Sequence, residues 1–304
     1  MEKVTINEYV LKDPKFKEDR TVVNISDIHS NITALSNIEK LLEEIKANYI
    51  YIPGDLIDSI DNIHNEEIIS LLKKIGNISP TFLSLGNHEM CELSYQKGKK
   101  KEIESDKYVE YFDSIMKQTN CISMISDFSK IELSDDLSIS AINVTFSYYG
   151  KKEKIIQYKK ILEGSKEIIN KDKFNILLLH SPNSLIQNGK IDKSSEIIKN
   201  MNLILCGHNH GGLMPIFAQD LLKGHRGLAG PYAKIFQPNA YGIYNEDDTS
   251  VLISNGVTKI SSTSEAGKIN KILNKIYLPE IDLIHMEQAD EHLLKLKNRS
   301  IHKF

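Results

Sequence analysis

Five apolar runs, each followed by polar residues that commonly bind metal ions, constrain the fold of this chain more than any other feature. In the clearest, Tyr49 to Asp58, a run of β-branched and aromatic residues stops at Pro53-Gly54 and two acids follow. Short apolar runs bounded by turn residues predict buried strands. The runs and their polar residues are Thr21–Ser26 with Asp27 and His29, Tyr49–Ile52 with Asp55 and Asp58, Thr81–Leu85 with Asn87 and His88, Phe174–Leu179 with His180, and Met201–Cys206 with His208 and His210.

The segments between these runs show apolar residues at helical spacing. This spacing predicts helices over Ile32–Ile45 and Ile68–Ile75, so helices join the first three strands, and a further amphipathic helix is predicted over Glu153–Asn170. Strand–helix–strand units build parallel sheets, and ligands bind at the carboxyl edge of such sheets because the loops converge there. We therefore expect the five polar clusters to lie along one edge of the sheet system.

The candidate ligands in these clusters are carboxylates, imidazoles and one amide, without a thiolate. Such a mixture of oxygen and nitrogen donors suits Mn²⁺, Fe, Co²⁺ or Zn²⁺ and is poor for Ca²⁺. A catalytic ion must keep an open position, so seven donors are too many for one ion and enough for two. Because a carboxylate can bridge two ions, Asp55 is the expected bridge. The seven residues are Asp27, His29, Asp55, Asn87, His180, His208 and His210.

Two neighbouring divalent ions indicate the hydrolysis of a phosphate ester. Ions about 3.5–4 Å apart make hydroxide from water and clamp the oxygens of an in-line displacement. The departing alkoxide also needs a proton, and His88, next to Asn87, is the candidate general acid. Asp58 is the candidate for holding the His88 ring in the right tautomer. We expect two divalent ions, Mn²⁺ before Fe, Zn²⁺ or Co²⁺, and a small-molecule or lipid-like phosphoester as substrate.

Together the clusters resemble the motifs of the calcineurin-like metallophosphoesterases. The last cluster is also similar to the GH(T/N)HGG motif of a bacterial branch of predicted phosphohydrolases in that family. The resemblance implies an α/β (α+β) fold, a four-layer αββα sandwich of two mixed β-sheets flanked by helices. The matching segments are Asp27-x-His29, Gly54-Asp55-x-x-Asp58, Gly86-Asn87-His88-Glu89, His180 and Gly207-His208-x-His210.

The resemblance also implies a role for each residue. It implies a dinuclear-metal phosphoesterase, a hydrolase acting on phosphodiesters or phosphomonoesters, in which a metal-bridging hydroxide attacks phosphorus. His88 becomes the proton donor, supported by Asp58. One ion is held by Asp27, His29, Asp55 and His210, and the other by Asp55, Asn87, His180 and His208.

Two alternatives stay open beside this interpretation. One is a metal-binding scaffold of the same fold without catalysis, although such scaffolds usually lose a ligand or the proton donor. The other is a nucleotide-specific pyrophosphatase or cyclic-nucleotide phosphodiesterase, which needs base-recognition groups that the sequence does not identify. Protein serine/threonine phosphatases carry an arginine-glycine pair directly after the second motif, whereas Asp58 precedes Ser59-Ile60, so that class is disfavoured.

Composition limits the partners and the location. The 304 residues carry a net charge of -3 and include only three arginines, so neither a nucleic-acid partner nor an arginine cluster for phosphate is indicated. No run approaches the roughly 20 apolar residues of a membrane span, and the start lacks a signal-peptide apolar segment. We expect a cytoplasmic protein unless an anchoring segment precedes this sequence. Peripheral membrane contact and the oligomeric state stay open.

The domain organisation expected from the sequence is simple. Residues 1–286 form a single metallophosphoesterase domain that begins with an edge strand around Val4 to Val10. The lysine- and glutamate-rich residues 91–120 predict a solvated surface helix, with a lid-like helical segment over the site as the alternative. Residues 287–304, with leucines at 293, 294 and 296, predict a C-terminal helical tail.

Overall fold

Two mixed β-sheets form the centre of the computed structural model, which describes residues 3–58, 66–96, 99–104, 106–144, 152–183, 185–219, 225–230, 234–258 and 277–304. The first sheet has seven strands, in the spatial order β19 (Leu293–Lys303), β1 (Lys3–Asp13), β18 (Glu280–Gln288), β2 (Arg20–Asn24), β3 (Tyr49–Pro53), β4 (Thr81–Ser84) and β7 (Ile122–Ser123). The second has six, in the order β16 (Gly242–Glu246), β17 (Thr249–Ile253), β13 (Leu203–Cys206), β10 (Phe174–Leu178), β9 (Leu137–Ile142) and β8 (Phe128–Glu132).

Three two-stranded ribbons and several helices complete the described part of the chain. The ribbons pair β5 (Cys91–Gln96) with β6 (Lys99–Glu104), β11 (Ile186–Gln187) with β12 (Lys190–Ile191), and β14 (Ala229–Gly230) with β15 (Lys234–Ile235). The α-helices are α1 (Ile32–Ile45), α2 (Glu66–Ile78), α3 (Asp106–Met116), α4 (Lys152–Gly164), α5 (Glu196–Asn200) and α6 (Ile216–Gln219), and 3₁₀ turns cover Lys166–Ile168 and His210–Leu213.

Apolar side chains pack these elements into four layers. One core cluster joins helices α1, α2 and α3 to the outer face of the first sheet. A second lies between the two sheets, and a third joins α4 and α5 to the outer face of the second sheet. Strand β3 shows the alternation that this requires, because Ile50 and Ile52 face the helices while Tyr51 faces the other sheet. The expected αββα sandwich of two mixed sheets is therefore confirmed.

The order of parallel strands brings the predicted clusters to one edge. Strands β2, β3 and β4 are neighbours and parallel in the first sheet. Strands β10 and β13 are neighbours and parallel in the second. All five therefore end at the edge of their own sheet where the polar residues follow, and the two edges meet, since the ring Nδ1 of His180 donates to the Pro53 carbonyl at 2.8 Å.

Polar bridges tie the two sheets together away from that edge. Arg20 of β2 makes a two-pronged ion pair with Asp136, which precedes β9, at 2.7 and 3.0 Å. Elsewhere His292 Nδ1 lies 2.7 Å from Asp13 Oδ2, and its Nε2 lies 2.8 Å from the hydroxyl of Ser250 in β17. The order Asp–His–Ser is that of a hydrolytic triad. However, Ser250 is fully buried and donates to Asn245 Oδ1 at 2.6 Å, so the role of this array is structural.

Two sequence expectations at the edge of the first sheet are wrong. The predicted helical tail at 287–304 is largely strand β19, which pairs antiparallel with β1 over its whole length. Strand β1 is consequently an inner strand between β19 and β18, not an edge strand. The three leucines suggested a helix, but only Leu294 is buried, and the hydrogen bonds offered by β1 decide the conformation. The expected domain boundary at residue 286 falls inside β18, so the tail belongs to the sheet.

The predicted helix over residues 91–120 is only partly correct. Residues 91–96 and 99–104 form the β5–β6 ribbon, and the helix α3 runs from Asp106 to Met116. Buried Phe112, Ile115 and Met116 dock α3 on the first sheet's outer core, so this helix is not freely solvated. A lid function for the segment stays a prediction. Among the described residues, no helix has the length and apolarity that crossing a bilayer requires.

Candidate metal centre

The five predicted clusters converge into one buried group of side chains. The amide of His208, from the second sheet, donates to Asp27 Oδ1 of the first sheet at 2.9 Å. The amide of His88 donates to Asp55 Oδ1 at 3.1 Å. Glycines allow this approach, because a Cβ on Gly54 would lie 2.6 Å from Gly86 Cα and 2.8 Å from the His180 ring.

Two sets of donors within this group could each hold a metal ion. In the first set, Asp27, His29 and His210 place one ligand atom each within 4.8 Å of one another. In the second set, the same holds for Asp55, His180 and His208. A third group, His29, Asp58 and His88, meets the same distance criterion and shares His29 with the first set. The first two sets each contain three of the four ligands that the sequence resemblance assigns to one ion, and that assignment stays a prediction.

Asp55 links the two sets through a single oxygen. Its Oδ2 lies 3.0 Å from His180 Nε2, in the second set, and 3.6 Å from His29 Nε2, in the first. The carboxylate is almost completely buried, and its other oxygen accepts from the His88 amide. An oxygen placed between two groups of imidazoles is what a bridging ligand requires.

Backbone carbonyls fix the orientation of two of the histidines. Nδ1 of His180 faces the Pro53 carbonyl at 2.8 Å, and Nδ1 of His210 faces the Thr258 carbonyl at 2.6 Å. A carbonyl only accepts, so each Nδ1 carries a hydrogen, and in the neutral ring Nε2 presents its lone pair to the cluster. This second contact is typical of metal-ligating histidines, because it sets both tautomer and ring direction.

Backbone strain is concentrated at the same residues. Non-glycine residues rarely adopt positive φ, and residues held there commonly lie at functional sites, where the surrounding structure compensates the cost. The left-handed residues at this edge include Asp27 (φ 53°), His29 (47°), Asp55 (52°), His208 (69°) and His210 (48°).

His88 and Asp58 lie beside the first set. Nδ1 of His88 donates to the backbone carbonyl of Asp58, so Nε2 is the nitrogen left to exchange a proton. The Asp58 carboxylate lies 3.4 Å from His29 Nδ1. The His88 ring packs edge-on against His29, with centroids 4.7 Å apart. Asp58 therefore contacts both rings, and its hydrogen bond with His88 is made by the backbone carbonyl.

Burial and mutual charge displace the pKa values in the cluster. Burial alone lowers the pKa of His180, but the neighbouring Asp55 carboxylate outweighs it and raises the value to about 9. Burial would raise the pKa of Asp55, yet the surrounding histidines, His180 first, hold it well below its usual range. Burial and the nearby His180 lower the pKa of His208. A carboxylate kept ionised among imidazoles is suited to bind cations.

Glu89 is a site residue that the sequence argument did not single out. Its carboxylate accepts from the amides of Gly86 at 2.7 Å, Asp55 at 3.1 Å and Ile57 at 3.1 Å, and it is fully buried. It thereby fixes the loops after β3 and β4 relative to each other. Burial, together with the nearby Asp55, raises the pKa of Glu89 to about 7. The motif Gly86-Asn87-His88-Glu89 was the sequence signal that could have identified Glu89. No sequence signal identifies the backbone carbonyls of Pro53 and Thr258.

The donors fit divalent ions. Asp27 Oδ2, His29 Nε2 and Asn87 Oδ1 are buried and have no hydrogen-bond partner among the described residues. Unpaired buried polar atoms are costly, and a cation would satisfy these three. The mixture of carboxylate, imidazole and amide donors without sulfur also suits ions such as Mn²⁺, Fe, Co²⁺ or Zn²⁺.

Comparison with known proteins decides the family. The model of the family described as calcineurin-like phosphoesterase matches residues 20–212, which include every candidate ligand. The chain belongs to the calcineurin-like phosphoesterase family. Members of this family are described as phosphoesterases, and the family implies divalent metal ions. In Caenorhabditis elegans, the protein named "Putative metallophosphoesterase F40B5.2" is 27% identical over 246 residues, covering 78% of this chain. The chain spans 44% of that relative's length.

Several solved structures are similar to this chain over part of its length. Phosphopantetheinyl hydrolase (PptH) from Mycobacterium tuberculosis has 11% identity and a TM-score of 0.41, over 78% of this chain and 89% of its own. TT1561 of Thermus thermophilus has 12% identity and a TM-score of 0.43, and the match covers 79% of this chain and 90% of that chain. Purple acid phosphatase PPD1 from yellow lupin has 13% identity and a TM-score of 0.38, and the match covers 65% of this chain and 39% of that chain.

Proposed function

We propose that this protein is a dinuclear-metal phosphoesterase that hydrolyses small or lipid-like phosphodiesters or phosphomonoesters. The observation that carries the proposal is the position of Asp55 Oδ2, 3.0 Å from one ligand histidine and 3.6 Å from another. A single carboxylate oxygen between two donor sets supports two ions rather than one. Mn²⁺ is the favoured ion, with Fe, Zn²⁺ and Co²⁺ as alternatives.

In this proposal each donor set holds one ion. Asp27, His29 and His210 would hold the first, Asn87, His180 and His208 the second, and Asp55 both. When bound, two divalent ions neutralise the charge of a phosphate group and acidify water. The chain's own contribution is to fix the donors, through the carbonyls that orient His180 and His210 and through the buried carboxylate of Glu89.

His88 is the proposed proton donor to the leaving group. Its Nδ1 is bonded to the Asp58 carbonyl, so a proton delivered to substrate leaves from Nε2, and the ring remains in the neutral Nδ1–H form. Burial lowers the pKa of His88 despite the nearby Asp55 carboxylate, which makes its protonated ring a stronger acid. In this proposal Asp58 positions the ring through its backbone.

The test is the hydrolysis of bis-p-nitrophenyl phosphate and p-nitrophenyl phosphate by metal-stripped protein, with and without Mn²⁺. We expect Mn²⁺-dependent turnover that Asp55→Asn abolishes together with metal binding. His88→Asn should retain metal and slow esters with poor leaving groups, such as phenyl phosphate, more than those with good ones. Equal slowing of both would contradict the acid role. Two bound ions without turnover of any ester would indicate a metal-binding scaffold instead.

A further inference from the structure

A short hairpin lies directly against the turn that carries His208 and His210. It consists of residues 227–230 and 234–237 and is called here the flanking hairpin. The amide of Gly227 donates to the Gln237 carbonyl at 2.9 Å, and the amide of Phe236 donates to the Leu228 carbonyl at 3.1 Å. Beside these bonds, β14 pairs with β15.

Two contacts fix the flanking hairpin to the candidate metal centre. The side chain of Gln237 donates to Asn209 Oδ1 at 2.8 Å. Just beyond the hairpin, the Asn239 carbonyl accepts from Asn209 Nδ2 at 3.0 Å. Asn209 stands between the two ligand histidines. The backbones of Gly212 and Gly227 also touch so closely that a Cβ on Gly227 would lie 2.6 Å from the Gly212 carbonyl oxygen. The hairpin therefore has a fixed position beside the site.

The flanking hairpin presents an apolar pair to solvent. Phe236 is 63% exposed and Leu228 46% exposed. They lie opposite each other, one residue beyond the Ala229–Ile235 pair, and the Phe236 amide donates to the Leu228 carbonyl. Exposed apolar surface contributes to binding when a ligand removes it from water.

Phe236 is also strained. Its φ of 54° lies in the left-handed region, which costs stability for a bulky residue, and its exposed ring recovers little of that cost by burial. A glycine would adopt this conformation without strain. The ring is thus held exposed on the flanking hairpin at the expense of stability, which is the pattern of a residue retained for binding.

We infer that Phe236 and Leu228 bind the non-leaving alkyl group of the phosphoester substrate, while its phosphate group lies at the metal centre. This inference rests on the proposed function and names a substrate class, phosphoesters with an apolar substituent. Two side chains are far too small for a protein interface, which buries about 800 Å² per partner. They match the size of one substrate group.

The test compares two diesters that share a leaving group, p-nitrophenyl methyl phosphate and p-nitrophenyl octyl phosphate. We expect the wild-type protein to have the lower KM for the octyl ester. Phe236→Gly should raise that KM about tenfold, the loss expected for part of one apolar contact, and leave kcat/KM for the methyl ester within about twofold. Leu228→Ser should act in the same direction. The control, Ile301→Ser, removes an exposed apolar residue of β19 and should change neither.

The strain at Phe236 separates binding from structure. Phe236→Gly should keep or raise the melting temperature, because it removes the left-handed phenylalanine. A lower melting temperature with equal losses on both esters would mean that the ring supports the fold, and would overturn the inference. Wild-type binding to phosphatidylglycerol vesicles that Phe236→Gly abolishes, with unchanged discrimination between dissolved esters, would also overturn it by assigning the pair to a membrane surface.

Binding without turnover distinguishes this inference from the proposed reaction. Calorimetry measures the binding of octylphosphonate and methylphosphonate to Mn²⁺-loaded protein. Because the protein hydrolyses neither compound, the difference in affinity reports the apolar contact alone. Tighter binding of octylphosphonate by the wild type and not by Phe236→Gly supports the contact even if every ester proves inert, an outcome that would refute the proposed function alone. Equal binding of the two phosphonates by the wild type would refute the contact.

Discussion

Gly86→Ala should disable the site by displacing Asp55. A Cβ on Gly86 would lie 2.9 Å from Asp55 Cγ and closer still to that residue's amide nitrogen and Oδ1. Ordinary carbon–carbon contacts are about 3.5 to 4.0 Å, so Asp55 must retreat by roughly 0.6 to 1 Å. Misplacement of a catalytic group by about 1 Å can cost about 100-fold in rate, or about 2.7 kcal/mol of transition-state stabilisation. Overpacking should also lower the free energy of unfolding by about 1 to 3 kcal/mol.

The assay is kcat/KM for bis-p-nitrophenyl phosphate with Mn²⁺, measured well below each variant's melting temperature, together with bound metal by elemental analysis. Two other glycines serve as controls. A Cβ on Gly76 of α2 would lie 2.7 Å from the Asn120 carbonyl carbon, remote from the candidate ligands, so Gly76→Ala should lower stability and keep activity. Gly164 has open space around it, so Gly164→Ala should change neither. Activity of Gly86→Ala within about threefold of wild type, with full metal content, would refute the argument.

Two further predictions concern the polar bridges between the sheets. Burial opposes ionisation of Asp136, but its bonds to Arg20 outweigh this and hold its pKa well below the usual range. The Arg20–Asp136 pair therefore stabilises the folded state fully above about pH 4, and its contribution declines progressively as the pH falls further. Asp136→Asn should lower the free energy of unfolding in urea by about 3 to 5 kcal/mol at pH 7, and by less at pH 3. An equal loss at both pH values would contradict the ion-pair account. His292→Ala should lower the free energy of unfolding by about 2 to 4 kcal/mol, because the buried carboxylate of Asp13 and the hydroxyl of Ser250 lose a partner. It should not change kcat. A loss of activity in the folded variant would instead indicate a catalytic triad.

The errors in the sequence prediction share one cause. The tail around Leu293–Leu296 has a helical apolar spacing, yet it forms a strand because β1 offers an open row of backbone donors and acceptors. Residues 91–96 and 99–104 likewise form a ribbon, in which Cys91 pairs with Glu104, where the charged composition suggested a helix. Periodicity reports only local preference, and hydrogen-bonding partners that are distant in sequence override it. The buried strands β3 and β10 were predicted correctly because a run buried on both faces is apolar at every position.

The sequence by itself determined which residues follow each core strand, and hence that Asp27, Asp55, Asn87, His180 and His208 would share one edge. This follows from local chemistry, since the loop after a parallel strand always leaves at the carboxyl end. Only the tertiary structure decided that one oxygen of Asp55 faces both donor sets, that Asp58 holds His88 by its carbonyl, and that Glu89 clamps two loops. Those facts depend on strand order and on distances of a few ångströms between residues remote in sequence, which no local pattern encodes.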